Sequence, residues 1–197
     1  MIADSLAPRA AELARWARDN VRHALGAPPA TAPLGRWTHT HAASFVTLRW
    51  AEGGELQGCI GSLEARIAVL DDVAHNAVAA ALRDPRVPPL RELAQVDRVD
   101  VGVSILSPLE HFPAVSEVEA AQALRPGQDG VVLAWRGRRA TLLPSVWSRL
   151  GDGATFLQAL KHKADMPRSA WEGVQLWRYT VDEHVDRAPA ATARRVS

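Results

Sequence analysis

The chain has 197 residues, of which 47% are hydrophobic, and its 23 basic side chains nearly balance 22 acidic ones, giving a formal net charge of +1. This composition predicts a globular protein and argues against a largely disordered one. It also argues against nucleic acid as a partner, because no large basic footprint is present. No apolar run reaches the roughly 18 to 20 residues of a membrane-spanning helix, and one cysteine cannot form an internal disulfide, so we expect a cytoplasmic protein.

The first half of the chain predicts a helix, a hairpin, a second helix and a strand. Apolar residues at four-residue spacing indicate an amphipathic helix over residues 8–25. Side chains alternate over residues 44–50 and a second apolar run follows at 56–60, with a Gly-Gly pair between them, which predicts two strands joined by a turn. An apolar face at helical period predicts a helix over residues 68–83, and alternating valines predict a strand over 97–106.

The second half of the chain predicts a similar series of elements. Residues 130–135 and 138–143 have the pattern of another hairpin. A proline opens a short helix over residues 144–150, and glycines separate it from a second helix over 155–164. A last strand is expected over residues 173–181.

An internal echo relates the two halves, because residues 45–50 align with residues 130–135 at a constant offset of 85 residues. We interpret the echo as a duplication, with one repeat over about 37–106 and the other over about 107–185. Two such repeats predict an α+β fold in which helices cover a mainly antiparallel sheet. Chance similarity between two amphipathic hairpins is the alternative.

The only cysteine, Cys59, lies between two glycines in the segment Leu56-Gln57-Gly58-Cys59-Ile60-Gly61. Glycine is disfavoured inside a strand unless the backbone bulges or another group approaches closely. We therefore expect a shaped site at residues 56–61. Cys59 itself is either a nucleophile or a small buried hydrophobic residue, and the sequence leaves both interpretations open.

A nucleophilic cysteine needs a base, and no spacing singles out one of the histidines. The candidates are His39, His41, His75 and His162. His39 and His41 would share one face of an extended segment, as two metal ligands do, whereas a surface pair with Asp71 explains His75. There is no cysteine cluster for iron and sulfur, no phosphate-binding glycine loop and no paired-histidine zinc motif, so we expect no metal or cofactor.

Asp84 follows the second predicted helix, where the negative end of the helix dipole disfavours a carboxylate. An ion pair with Arg86 or with an arginine of the second hairpin would compensate for this cost. The alternative is that Asp84 initiates a turn before Pro85. Lys161 and Lys163 lie in the last turn of a helix, where the dipole favours cations, and this position alone explains them.

Several short motifs occur in the order of one protein family. They are Phe45-Val46-Thr47-Leu48, Leu56 to Gly61, Asp84-Pro85-Arg86, Pro126-Gly127-Gln128-Asp129-Gly130, Ala140-Thr141-Leu142-Leu143-Pro144 and Lys161-His162-Lys163-Ala164. On these motifs the chain resembles the AMMECR domain family, specifically protein A of AmmeMemoRadiSam systems, over about residues 9–182. The resemblance implies a two-lobed α+β fold built as a duplication, in a single domain over residues 1–185. It also implies an association with a Memo-like protein and a separate radical SAM enzyme. It implies no established activity, and the polar residues 186–197 are expected to form a disordered tail.

Three positions depart from the family pattern. The family usually has arginine in place of Gln57, an aromatic residue in place of Val87 and glycine in place of Asp165. The first departure matters most, because a cation beside a thiol favours the thiolate and would hold an anionic ligand. In this chain Arg86 or Arg139 would have to supply that cation.

We carry two functional hypotheses. The first is a binding or adaptor protein that holds a partner or an unknown small molecule in a groove between the lobes. Its expected groove residues are Gln57, Gly58, Ile60, Gly61, Asp84, Arg86, Arg139 and Thr141. The alternative is an enzyme in which Cys59 attacks a substrate or carries a group, with the backbone amides of residues 58–61 as oxyanion donors.

Overall fold

The computed structural model describes residues 7–189, which mix helices with antiparallel sheets, and the predicted α+β class is confirmed. The helices are α1 (Ala7–Ala24), α2 (Val69–Leu82), α3 (Leu93–Val96), α4 (Glu117–Ala123), α5 (Trp147–Leu150) and α6 (Gly153–Lys163). The strands are β1 (Ser44–Trp50), β2 (Leu56–Gly61), β3 (Val99–Leu106), β4 (Glu110–His111), β5 (Gly130–Trp135), β6 (Arg138–Leu142), β7 (Gln175–Tyr179) and β8 (Val181–Asp186). Among the helices of this described part, none is both long and apolar enough to cross a lipid bilayer.

The chain divides into two compact units, each with its own sheet. The first unit runs to Ile105 and includes the chain from Glu183 onward, and the second unit is Leu106–Asp182. In the first unit the strand order is β2-β1-β3-β8, and in the second it is β4-β7-β5-β6.

In the first unit, α2 packs on one face of the sheet because every second side chain there is apolar. Val46 and Leu48 of β1 and Val101 and Val103 of β3 are fully buried in the core that also includes Val73 of α2. α1 packs against α2, and its buried residues belong to the same core.

Alternation along β1 and β3 turns the intervening side chains to the opposite side of this sheet, and the pairing of β1 with β2 shifts register between Leu48 and Arg49. Thr47 of β1 lies opposite Cys59 of β2 on one side and Gly102 of β3 on the other, and Arg49 lies opposite Asp100. We call this side, defined by Thr47, Arg49, Cys59, Asp100 and Gly102, the outer face. It is the part of the fold that positions the candidate site.

The second unit repeats the same order of elements. β5 pairs antiparallel with β6 and with β7, as β1 pairs with β2 and with β3, and α6 follows β6 as α2 follows β2. Val132 corresponds to Thr47 at the offset of 85 residues. Thr141 lies opposite Val132, as Cys59 lies opposite Thr47, so Thr141 takes the position in the second sheet that Cys59 has in the first. The duplication as such stays an interpretation of the sequence.

Several elements differ from the sequence expectations. α3, α4 and the short strand β4 were not predicted, and the expected strand over residues 173–181 is interrupted, since β7 ends at Tyr179 and β8 begins at Val181. At the expected tail, Arg187 forms an ion pair with Asp100, and the Ala188 N–H also donates to that carboxylate. Residues 190–197 of the predicted tail lie outside the described residues.

Candidate functional site

Cys59 lies on β2, which is an edge strand of the first sheet. Its thiol is on the outer face and is partly exposed. The Thr47 hydroxyl, directly across the hairpin, donates a hydrogen bond to Cys59 Sγ over 3.3 Å. The sulfur is therefore held in place by the neighbouring strand.

The backbone of Cys59 is bound by an ion pair that follows α2. The Cys59 N–H donates to Asp84 Oδ2 at 2.9 Å, and Arg86 Nη2 donates to the Cys59 carbonyl at 2.7 Å. Arg86 also donates to the Asp84 carboxylate through Nε at 2.9 Å and Nη2 at 2.6 Å. Because both backbone groups belong to an edge strand, the pair supplies partners that the sheet does not.

Burial and charge fix the state of this pair. The Asp84 side chain is 0% exposed, whereas the Arg86 side chain is 57% exposed. The Arg86 guanidinium, with help from the Cys59 N–H, holds the pKa of Asp84 well below its usual value of 3.8. The same pairing raises the pKa of Arg86. Asp84 is thus a charged structural acceptor, and the expected compensation at the helix end comes from Arg86.

The two glycines around Cys59 permit close approach by groups of this chain. A Cβ on Gly58 would lie closer than 3.0 Å to the carbonyl oxygen and carbon of Ala80 in α2. A Cβ on Gly61 would lie closer than 3.0 Å to the ring of Phe45. Neither glycine has a positive φ. The shape that the sequence predicted at residues 56–61 is therefore filled by a helix and a phenyl ring.

Gln57 and Ile60 also make their contacts with other residues of the first unit. Gln57 is buried, and its Nε2 donates to the carbonyl of Pro88 at 2.7 Å. Ile60 packs against the apolar core. With Gln57 engaged in this way, Arg86 is the cation bound to the Cys59 backbone.

Arg139 and Thr141 lie on β6 of the second unit. Thr141 is buried, its Oγ1 donates to the Val131 carbonyl at 2.9 Å, and it lies 2.7 Å from the Tyr179 hydroxyl. Burial raises the pKa of Tyr179 to about 12. The Arg139 guanidinium lies 5.9 Å from the ring of Trp177. The predicted groove that combines these residues with Cys59 stays a prediction.

The structure changes the interpretation of the histidines. His39 ends a 3₁₀ helix, Arg36–His39, while His41 forms an isolated bridge with Ala68, so the two do not share an extended segment as expected. His75 is on the exposed side of α2. The hydrogen bond that Cys59 Sγ accepts comes from Thr47. Among residues 7–189, no group of three or more His, Cys, Asp and Glu side chains has the arrangement of a metal site.

Several charged residues are buried although the sequence did not predict it, among them Asp72, Lys161, Arg18 and Asp129. Asp72 of α2 accepts hydrogen bonds from the backbone and hydroxyl of Ser44, from Ser62 and from Asn76. A polar pair at i and i+4 on a buried helix face was the available signal. The helix dipole was the predicted explanation for Lys161, but its side chain is 0% exposed and forms an ion pair with Glu117 at 2.8 Å.

Lys163 binds the backbone of the second hairpin. Its Nζ donates to the carbonyl of Thr141 at 2.9 Å. In the first unit the corresponding carbonyl, that of Cys59, is bound by Arg86. Each unit therefore places a cation on the same carbonyl of its edge strand.

The fold and site define a class of α+β protein with two similar units, each built as a hairpin, a helix and a returning strand. A family model described as AMMECR1 matches residues 14–184, and the chain belongs to the AMMECR1 family. The predicted family resemblance is thereby confirmed.

Relatives occur in archaea and bacteria. The chain is 35% identical over 138 residues to Protein MJ0810 from Methanocaldococcus jannaschii, a match that covers 68% of each chain. It is 34% identical over 145 residues to a protein from Thermotoga maritima, covering 73% of this chain and 77% of that one. The crystal structure of the uncharacterized protein PH0010 from Pyrococcus horikoshii superposes with a TM-score of 0.79 at 27% identity, covering 91% of this chain and 96% of that one.

Proposed function

We propose that this protein is a cytoplasmic binding or adaptor protein, and that its contact surface includes the outer face around Thr47 and Cys59. We further propose that it works with a Memo-like protein and a radical SAM enzyme. The partners are inferred from the resemblance to protein A of AmmeMemoRadiSam systems. The surface is inferred from the geometry around Cys59.

One observation supports binding over catalysis, namely that the acceptors near the thiol are already engaged. Cys59 Sγ accepts a hydrogen bond from Thr47, and the Asp84 carboxylate accepts from Cys59 and Arg86. A nucleophilic cysteine needs a base to accept its proton, and this ionised, fully bonded carboxylate is poorly suited to that task. A fixed surface of this kind is suited to binding, because little ordering is required when a partner arrives.

The binding proposal predicts that Cys59→Ala keeps affinity for a Memo-like partner. We expect the Kd to change by less than about threefold, since the backbone of residue 59 and its ion pair remain. Thr47→Lys, which places a bulky cation on the same face, should weaken binding by about tenfold or more. Isothermal titration calorimetry measures both affinities. His75→Lys, on the exposed side of α2, is the matched control and should bind as the wild type does.

A large loss of affinity in a folded Cys59→Ala protein would contradict this proposal. Circular dichroism and thermal unfolding establish whether each variant is folded. Unchanged affinity in Thr47→Lys would remove the outer face from the contact surface.

The second candidate function is an enzyme that uses Cys59. Two contacts favour this candidate: the Thr47 hydroxyl donates to Cys59 Sγ, and the Arg86 guanidinium donates to the carbonyl of Cys59. Hydrogen-bond donors and cations near a sulfur are both groups that stabilise a thiolate. The Cys59 N–H donates to Asp84, however, and so it is not the free oxyanion donor that the sequence suggested.

Alkylation separates the two candidates. If Cys59 is a binding residue, iodoacetamide should modify it in the folded protein at pH 7 no faster than in the protein unfolded in urea. The modification is followed by mass spectrometry over time. A rate in the folded protein more than about tenfold higher, and lowered again in Thr47→Val, would instead support the enzyme.

A further inference from the structure

A small pocket lies on the outer face beside Thr47. Its volume is about 80 Å³, and it is lined by Gly102 of β3 and by residues of β8. A Cβ on Gly102 would have its nearest neighbours at 3.6 Å and 3.9 Å, which are the Thr47 carbonyl oxygen and Glu183 Oε1. The bare backbone of Gly102 thus leaves open a space that an alanine side chain would fill without a clash.

Four charged side chains line this pocket, and two of them are paired. Asp100 binds Arg187 at 2.6 Å and also accepts from the Ala188 N–H, so that its charge is engaged. Arg49 donates to the Gly54 carbonyl at 3.2 Å, which leaves its positive charge without a carboxylate. Within the described part of the chain, neither Arg49 nor Glu183 forms an ion pair.

An unpaired cation and an unpaired anion that line one pocket form complementary sites for a ligand carrying both charges. We propose that this pocket binds the zwitterionic head of a small α-amino acid, with the ligand carboxylate on Arg49 and the ligand ammonium on Glu183. The inference rests on the proposed function of the outer face as a binding surface, and it supplies the class of ligand.

The hydroxyl of Thr47 and the size of the pocket agree with such a ligand. Thr47 Oγ1 donates its proton to Cys59 Sγ, so its lone pairs remain to accept from an ammonium group. A volume of about 80 Å³ equals that of roughly two to three water molecules. This space suits glycine or alanine, and a longer side chain has to leave through the open mouth.

Titration of the ¹⁵N-labelled full-length protein with glycine tests the inference. We expect saturable shifts of the amide signals of Gly102 and Glu183. Acetate and methylamine carry one charge each, and both should bind about tenfold more weakly than glycine. Absence of saturable shifts with glycine would overturn the inference, as would equal binding of acetate.

Variants locate the ligand in the pocket. Arg49→Gln and Glu183→Gln should each weaken glycine binding by about tenfold. Gly102→Ala should abolish it while leaving the unfolding temperature nearly unchanged, because the added Cβ makes only ordinary contacts. Glu52→Gln, on the turn between β1 and β2, is the matched control and should bind glycine normally. Glycine binding that survives all three pocket variants would overturn the assignment.

Failure of the amino-acid inference can be told apart from failure of the proposed adaptor function. If glycine fails to bind but Thr47→Lys still loses the Memo-like partner, only the amino-acid inference is wrong. If glycine binds and Thr47→Lys keeps the partner, the inference holds and the adaptor surface is wrong.

Discussion

Gly58→Ala is expected to destabilise the protein by about 3 kcal/mol, at the upper end of the usual cost of overpacking. The added Cβ would lie closer than 3.0 Å to the carbonyl oxygen and carbon of Ala80, and these are backbone atoms of α2 that no side-chain rotation can move. The helix would have to shift away from the sheet, and overpacking of this kind costs about 1–3 kcal/mol and occasionally more. Urea unfolding followed by circular dichroism gives the difference in free energy of unfolding.

Gly102→Ala is the matched control for this prediction. Its Cβ would have its nearest neighbour at 3.6 Å, so the same chemical change should cost less than about 1 kcal/mol. Equal losses in the two variants would show that strand glycines in general, rather than the approach of α2 to Gly58, set the stability.

Asp84→Ala is expected to lower the free energy of unfolding by about 2–3 kcal/mol at pH 7. The variant leaves the Cys59 N–H without its acceptor and Arg86 without its carboxylate. The estimate stays below the full effect of breaking a buried ion pair, because Arg86 is 57% exposed and water can replace part of the contact. Asp19→Ala, an exposed carboxylate on α1, should change stability by less than about 0.5 kcal/mol.

Acid should remove the contribution of ionised Asp84 to the free energy of unfolding. Its pKa is lower in the folded protein than in the unfolded chain, so the unfolded chain binds the proton first as the pH falls. The contribution is therefore complete above about pH 5 and is lost progressively as the pH falls below that value. The difference between wild type and Asp84→Asn should shrink from pH 5 to pH 2, and a constant difference would contradict the assignment.

Long periodic elements could be predicted from the sequence, because their burial pattern repeats over several turns or residues. α1, α2 and both hairpins are of this kind. The short helix α4 depends on its cap instead, where the Ser116 side chain accepts from the Glu119 N–H, and Ser-x-x-Glu is the sequence signal for such a cap. The break between β7 and β8 lies at Thr180, whose backbone binds Ser107, a contact too distant in sequence to predict.

The site was predictable to the extent that its chemistry is local. A carboxylate after a helix needed a cation, and Arg86 lies two residues further along the chain. The contact between Asp84 and the Cys59 N–H joins residues 25 positions apart, and only the tertiary fold brings them together. The glycines around Cys59 did indicate close approach, but the sequence could not reveal that the approaching groups were Ala80 and Phe45.

The cations bound to the carbonyls of Cys59 and Thr141 bear on how other molecules can attach. β2 and β6 lie at sheet edges, where a strand from another chain could otherwise continue the ladder and begin aggregation. Arg86 and Lys163 occupy an acceptor that such a strand would need. A strand from another chain is thereby disfavoured at the β2 and β6 edges, because the cation would have to leave the carbonyl before the ladder could continue.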